Sequence, residues 1–243
     1  MTKERKSFGE QRTPDLSMRA LMLPKISAEG LEIVVVMALV SAVLGTISGF
    51  LGTIALFLTL FSYYFFRDPE RISPQGKGLV LAPADGIIMP LKHSKLPEEI
   101  AGSDAGDYIK ISIFMSLFNV HVNRNPLSGK VLRVRHIQNG KFIDVRSDKD
   151  SENNERSVAL IKTAYGNIAV AQIAGLVARR IVCHLNEGDE VKAGERFGLI
   201  KFGSRLDLYL PADKFSVRVA CGQTATGGET ILAEAINAKT NKS

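Results

Sequence analysis

The chain has 243 residues, 45% of them apolar and 23% charged, with a formal net charge of +6. That is enough apolar material for one substantial core, and it excludes a disordered polymer. Lys and Arg are scattered, without a recognition-helix or zinc pattern, so the expected partner is anionic lipid and not nucleic acid.

Residues 1–32 are polar and broken by Pro14 and Pro24, which predicts an N-terminal arm with at most a short interfacial helix. Ile33 to Phe66 then runs for 34 residues without Asp, Glu, Lys, Arg or His. A straight helix of that length would reach about 50 Å, against about 30 Å of hydrocarbon, while two full crossings want about 40 residues. The expectation is a membrane segment folded as a hairpin, bent near Gly45, Gly49 and Gly52. Arg19 and Lys25 precede it and Arg67, Arg71 and Lys77 follow, so both flanks are expected in the cytoplasm, with the domain that follows facing that side of the cell membrane.

Residues 67–78 hold two prolines and two glycines and read as a linker, with a soluble domain from 79 to 243. Within it the pattern is of period two. Ile109, Ile111 and Ile113 alternate with polar residues, as do Leu132 and Val134, and Leu206, Leu208 and Leu210. Residues 156–175 read as two strands about a turn at Tyr165-Gly166-Asn167. Segments 104–107 and 147–156 read as polar loops. The fold class is therefore mainly β, a β-rich α+β domain of many short strands behind a helical membrane segment. Cys183 and Cys221 form neither a disulfide framework nor a zinc spacing, and no metal site is expected.

Three stretches could carry chemistry, and each has an innocent reading. "PADG" places Asp85 before Gly86, which by itself is a hairpin turn signal. "FMSLFNVHVNRNP" puts His121 among apolar residues, where a lone histidine is more often part of the core. "KFGSRLDLYLP" sets Gly203 and Ser204 at the head of an alternating run, where glycine and serine are ordinary turn residues. Phe202 to Leu206 is not the nucleophile elbow of a hydrolase, and no Walker A loop, H-E-x-x-H or dinucleotide fingerprint is present.

What these residues do allow is an internal reaction. The Ser204 hydroxyl can attack the Gly203 carbonyl if a base such as His121 takes its proton. β-Elimination from the resulting ester, followed by hydrolysis, would cut the chain and leave a pyruvoyl group at residue 204.

The set "FFRDPER", "PADG", "FMSLFNVHVNRNP", "ARRIVC" and "GDEVKAGERFGLIKFGSRLDLYLP" resembles the phosphatidylserine decarboxylase proenzymes, in their shorter bacterial and archaeal subfamily. The resemblance runs from about Tyr63 to about Glu234. It implies cleavage between Gly203 and Ser204 into chains 1–203 and 204–243, which stay together as a heterodimer and can further associate into a homo-oligomer. It also implies a covalent pyruvoyl cofactor from Ser204, which condenses with the substrate amine as a Schiff base and accepts the electrons released with carbon dioxide. Asp85 matches the acidic member of the cleavage triad, and His121 lies in the histidine motif. The longer bacterial enzymes carry a second histidine three residues on, where this chain has Arg124. Either His121 serves both cleavage and decarboxylation, or His184 supplies one role. The longer enzymes also have Leu-Gly-Ser-Thr at the cut, against Phe202-Gly203-Ser204-Arg205 here. Arg179, Arg180 and Arg205 are candidates for the substrate phosphate.

Two alternatives accompany this reading. One is the same chemistry on another serine phospholipid, such as an archaeal ether lipid. The other is a non-enzymatic membrane-anchored carrier or adaptor, since "EGDEVKAGERFGLI" also resembles biotinyl and lipoyl domains.

Overall fold

The computed structural model describes residues 24–102, 106–138, 154–175, 180–201 and 204–236. The N-terminal arm up to residue 23, most of both expected polar loops, Arg179 and Gly203 lie outside the described residues.

Two helices come first, α1 (Ala28–Ile47) and α2 (Gly49–Phe65), parted by Ser48 in an extended conformation. α1 starts ahead of the uncharged run and takes Glu29 and Glu32 with it. A carboxylate in the first turn suits the positive dipole end there, so the acidic Glu29 does not keep the helix from starting ahead of the uncharged run. The helices fold back on each other. Gly45 and Gly52 meet so closely that a Cβ on Gly52 would lie 2.5 Å from the Gly45 Cα. Ser41 Oγ donates to Gly52 O at 3.2 Å, and Ser62 Oγ lies 3.1 Å from Met37 Sδ. At the open end Ser27 N donates to Phe66 O at 2.8 Å and Tyr63 Oη to Pro24 O at 2.9 Å. The outward faces are apolar and exposed, as at Val36, Leu39, Phe50 and Phe57. α1 has a mean hydropathy of 2.3 and is long and apolar enough to cross a membrane.

The rest is almost wholly antiparallel strand, as the alternation predicts. Strands β1 (Leu79–Leu81), β2 (Gly86–Ile88) and β3 (Lys92–Ser94) lead to a short helix α3 (Glu98–Ala101). Then follow β4 (Tyr108–Met115), β5 (Val122–Arg124), β6 (Gly129–Ile137), β7 (Arg156–Thr163) and β8 (Gly166–Ala174). The chain continues with β9 (Ile181–Cys183), β10 (Glu190–Val191), β11 (Arg196–Ile200) and β12 (Ser204–Pro211). It closes with β13 (Phe215–Val217), β14 (Thr224–Ala225) and β15 (Ile231–Ala235). A nine-stranded sheet has the order β10-β6-β7-β8-β12-β4-β2-β14, with β3 also on β4. Two three-stranded sheets, β1-β15-β13 and β5-β11-β9, complete the domain.

β12 lies at the middle of the large sheet and is buried along its whole length. Leu206, Leu208 and Leu210 join the main core, while Tyr209 joins a second cluster with Leu96, Ile100 and Tyr108 on the opposite face. The alternation of this strand therefore does not mark a wet face. Two of its polar members pair with each other, Arg205 Nη2 lying 2.8 Å from Asp207 Oδ2 with both side chains buried. The Asp85-Gly86 pair is likewise not a tight hairpin turn, because β1 pairs with β15 whereas β2 pairs with β4 and β14. Gly86 is required by close approach, since a Cβ there would lie 2.2 Å from the Phe114 carbonyl oxygen.

Candidate active site

Ser204 is the first residue of β12, paired with Met115 at the end of β4 and with Ala174 at the end of β8. Its side chain lies on the face that Leu206 and Leu208 share, because strand residues two apart point the same way. It is 0% exposed, and its Oγ has no hydrogen-bond partner. A buried hydroxyl without a partner is costly in a fold, about 1–3 kcal/mol, and leaves the oxygen free of any bond that would hold it from reacting.

His121 reaches the same end of the sheet by another route. β4 stops at Met115, the chain turns through Ser116–Asn119, and β5 then pairs with β11. The His121 carbonyl accepts from Ile200 N at 3.3 Å, just ahead of β12. Its ring is 2% exposed and packs on Phe65 of α2 with centroids 4.1 Å apart. Nδ1 lies 2.9 Å from the Asn119 carbonyl oxygen. A carbonyl only accepts, so Nδ1 carries the hydrogen and Nε2 the lone pair. Nε2 has no partner. Burial pushes the pKa down to about 4, against the pull of the Asn119 bond, so at neutral pH the ring is an uncharged base.

Asp85 precedes β2 beside the same end of β4, for Ile87 is paired with Phe114. The Arg124 N–H donates to Pro83 O at 2.9 Å, which stitches the Asp85 loop to the strand after His121. The carboxylate itself is taken up by Arg71 Nη2 at 2.9 Å and the Gly227 N–H at 2.7 Å. Burial raises its pKa, opposed by those two donors. The Nδ1 partner of His121 is thus Asn119 and not Asp85.

The remaining candidates separate clearly. The His184 ring is exposed and its Nε2 lies 2.9 Å from Glu29 Oε1 in the first turn of α1. Arg180 is exposed, and its carbonyl accepts from Lys201 N at 3.2 Å, next to the segment that leads into Ser204. Arg205 is 2% exposed and faces Asp207. Arg124 acts as a clasp. Its guanidinium donates to Gly194 O at 3.1 Å, Pro69 O at 3.0 Å and Asp68 Oδ1 at 3.4 Å.

One pair escapes sequence reasoning. Gln172 of β8 donates from Nε2 to Asn123 Oδ1 at 2.9 Å and to Val182 O at 3.2 Å, and Asn123 Nδ2 lies 3.9 Å from Met115 Sδ. These two buried amides tie the large sheet to β5 and β9 right beside the neighbours of Ser204. The only signal is a lone amide in the apolar run "IAVAQIAG". Gln172→Ala strands the Asn123 and Val182 acceptors and is expected to destabilise the fold by about 1–3 kcal/mol, read as a lower denaturation midpoint.

Ser204 Oγ and His121 Nε2 are both buried and not bonded to each other, and the backbone tie between them is His121 O to Ile200 N, four residues before Ser204. A hydroxyl and a neutral imidazole are the group types that nucleophile and base require. Comparison with known proteins narrows that class. Residues 58–233 match the family model for phosphatidylserine decarboxylase. The chain is 48% identical over 210 residues to a phosphatidylserine decarboxylase proenzyme of Rickettsia bellii (strain OSU 85-389), covering 86% of this chain and 90% of that one. The chain belongs to the phosphatidylserine decarboxylase family. The carrier-like strand pattern therefore sits inside a decarboxylase-family chain.

Proposed function

We propose that the chain is a proenzyme that cuts itself between Gly203 and Ser204 and then converts phosphatidylserine to phosphatidylethanolamine and carbon dioxide. The observation that carries this reading is the pair of buried, unpartnered atoms, Ser204 Oγ and His121 Nε2.

In the precursor His121 Nε2 takes the Ser204 proton, and Oγ attacks the Gly203 carbonyl carbon. The peptide C–N bond breaks as the ester forms. Loss of the Ser204 Cα proton then expels the Gly203 carboxylate from Cβ, and one water hydrolyses the remaining dehydroalanine to a pyruvoyl group and ammonia. Ser204 fits this fate, being interior, at a strand head and without a hydrogen bond to break. When the lipid amine is joined to it, the new carbonyl supplies the sink for the electron pair that carbon dioxide leaves behind. Once Nε2 has picked up a proton, His121 can deliver it to that carbon, and its depressed basicity favours giving the proton up. Asp85 holds the 83–86 loop against Gly227 and Arg71, and through Arg124 N it steadies the strand after His121.

The two products would remain one body. Residues 204–236 supply β12 to β15, of which β12, β14 and β15 pair with β4, β8, β2 and β1 ahead of the cut, while β13 pairs with β15. The helical hairpin holds the enzyme in the membrane, with the domain on the cytoplasmic side as the basic flanks require. Among the described arginines Arg180 is the exposed candidate for the lipid phosphate. Arg180→Ala is expected to raise KM for the lipid about tenfold with kcat unchanged, since a lost charged hydrogen bond made equally in ground and transition state acts on binding alone.

The direct test uses the full chain in vesicles containing phosphatidylserine labelled at the serine carboxyl carbon. Release of labelled carbon dioxide with stoichiometric phosphatidylethanolamine is expected. No release from this lipid, with release from an ether-linked serine lipid, would move the substrate assignment. No release from either would overturn the enzymatic reading.

A further inference from the structure

The turn that carries His121 also presents two large apolar side chains outward. Leu117 is 38% and Phe118 67% exposed, and among the described residues Phe118 is the exposed aromatic that lies outside the helical pair. The turn is rigid. Ser116 donates from both N and Oγ to Asn119 Oδ1, at 2.9 and 2.8 Å, and Asn119 N donates back to Ser116 O at 3.0 Å.

Its position is fixed by the foot of α2. The Phe118 carbonyl accepts from Arg67 Nη2 at 2.7 Å and from Tyr64 Oη at 3.2 Å. The Arg67 guanidinium in turn lies over the Tyr64 ring, 3.9 Å from its centroid. This is the level at which the apolar helix gives way to Arg67 and Asp68. Lys201 Nζ stands 5.8 Å from the Phe66 ring at the same foot of α2. An exposed aromatic tip held by Arg67 at the foot of an exposed apolar helix pair, with Lys201 at that same foot, matches the boundary between acyl chains and anionic head groups.

We propose that the Ser116–Asn119 turn is a second membrane contact, seating Leu117 and Phe118 in the interface of an anionic bilayer beside the helical hairpin. This rests on the reading that the hairpin is embedded. Because the Asn119 carbonyl holds His121 Nδ1, the same turn joins the bilayer surface to the reacting centre. A lipid head group then meets the site at its own depth, with its acyl chains still in the membrane.

The chain contains no tryptophan, so one introduced residue reports alone. Full-length Phe118→Trp and Phe57→Trp variants are reconstituted in phosphatidylcholine–phosphatidylglycerol vesicles, with and without bromine on the acyl chains. Phe57 faces outward from α2 at 70% exposure and reports the hairpin. The proposal predicts bromine quenching of both. Quenching at 57 with a solvent-quenched, bromine-insensitive tryptophan at 118 would overturn the proposal and leave the hairpin embedded. A blue-shifted tryptophan at 118 that bromine does not touch would put protein against it, a second copy or another chain, and overturn the proposal as well. No bromine quenching at either position would remove the embedded hairpin and the inference together.

Discussion

Ser204→Ala is expected to yield a single chain of 243 residues with no detectable decarboxylation, in the same membrane fraction and with the same strand content as the wild type. The effect is total because the hydroxyl is both the nucleophile of the cut and the source of the carbonyl. No neighbouring group can supply either. The fold tolerates the change, since Ser204 Oγ makes no hydrogen bond that alanine would break. Ser204→Cys separates the two roles of the hydroxyl. Its thiol is a competent nucleophile and sulfur a competent leaving group, so slow cleavage is expected where alanine gives none. Electrophoresis under denaturing conditions checks both variants, and a cut Ser204→Ala chain would mean that another residue performs the attack.

His121→Gln is expected to slow self-cleavage by about 10²–10⁴-fold, the usual worth of a positioned base. Glutamine retains a polar donor for the Asn119 carbonyl but has no lone pair basic enough to take the Ser204 proton. The pH profile discriminates further. With its pKa pushed down to about 4 from an ordinary 6.5, His121 stays uncharged and active well below neutrality. The wild-type cleavage rate should therefore be nearly flat from about pH 8 to about pH 5 and fall only as the ring protonates near its own pKa. An unshifted histidine would lose half its rate near 6.5. The linkage has a matching sign. Below 6.5 the unfolded chain binds a proton that the folded chain refuses, so the precursor loses stability as the pH falls from 6.5 toward 4. Rates between pH 6.5 and 5 are therefore read beside the denaturation midpoint at the same pH, so that lost stability is not taken for a lost base.

The parts of the fold legible in the sequence were those set by local periodicity. Alternation at Ile109–Ile113 and Leu206–Leu210 gives β4 and β12, and Tyr165-Gly166 gives the β7–β8 turn. What was hidden depends on partners far away in the chain. Asp85-Gly86 has the composition of a hairpin turn, yet its surroundings come from Phe114, Gly227 and Arg71. Arg205 and Asp207 have the pattern of a wet strand face, yet they are a buried pair in the middle of the large sheet, on a face whose second cluster of Leu96, Ile100 and Tyr209 comes from distant parts of the chain. Ser204 and His121 read on residue type alone as a turn serine and a core histidine, and only their place in a set of motifs that resembles a family singles them out. Arg124 did not declare itself as a clasp, because Asp68, Pro69 and Gly194 meet it only after folding. The Asn123–Gln172 bridge was invisible for the same reason.

The central claim is that Ser204 becomes a carbonyl at the head of its own strand, and the intact masses of the purified wild-type chains test it most directly. The account predicts two chains that separate only on denaturation, the larger ending at Gly203. The smaller has the mass of the encoded 204–243 peptide less one ammonia, and it reacts with a hydrazide. A small chain of full encoded mass with an N-terminal serine would mean simple hydrolysis without a carbonyl. One uncut chain from active membranes would contradict the account altogether.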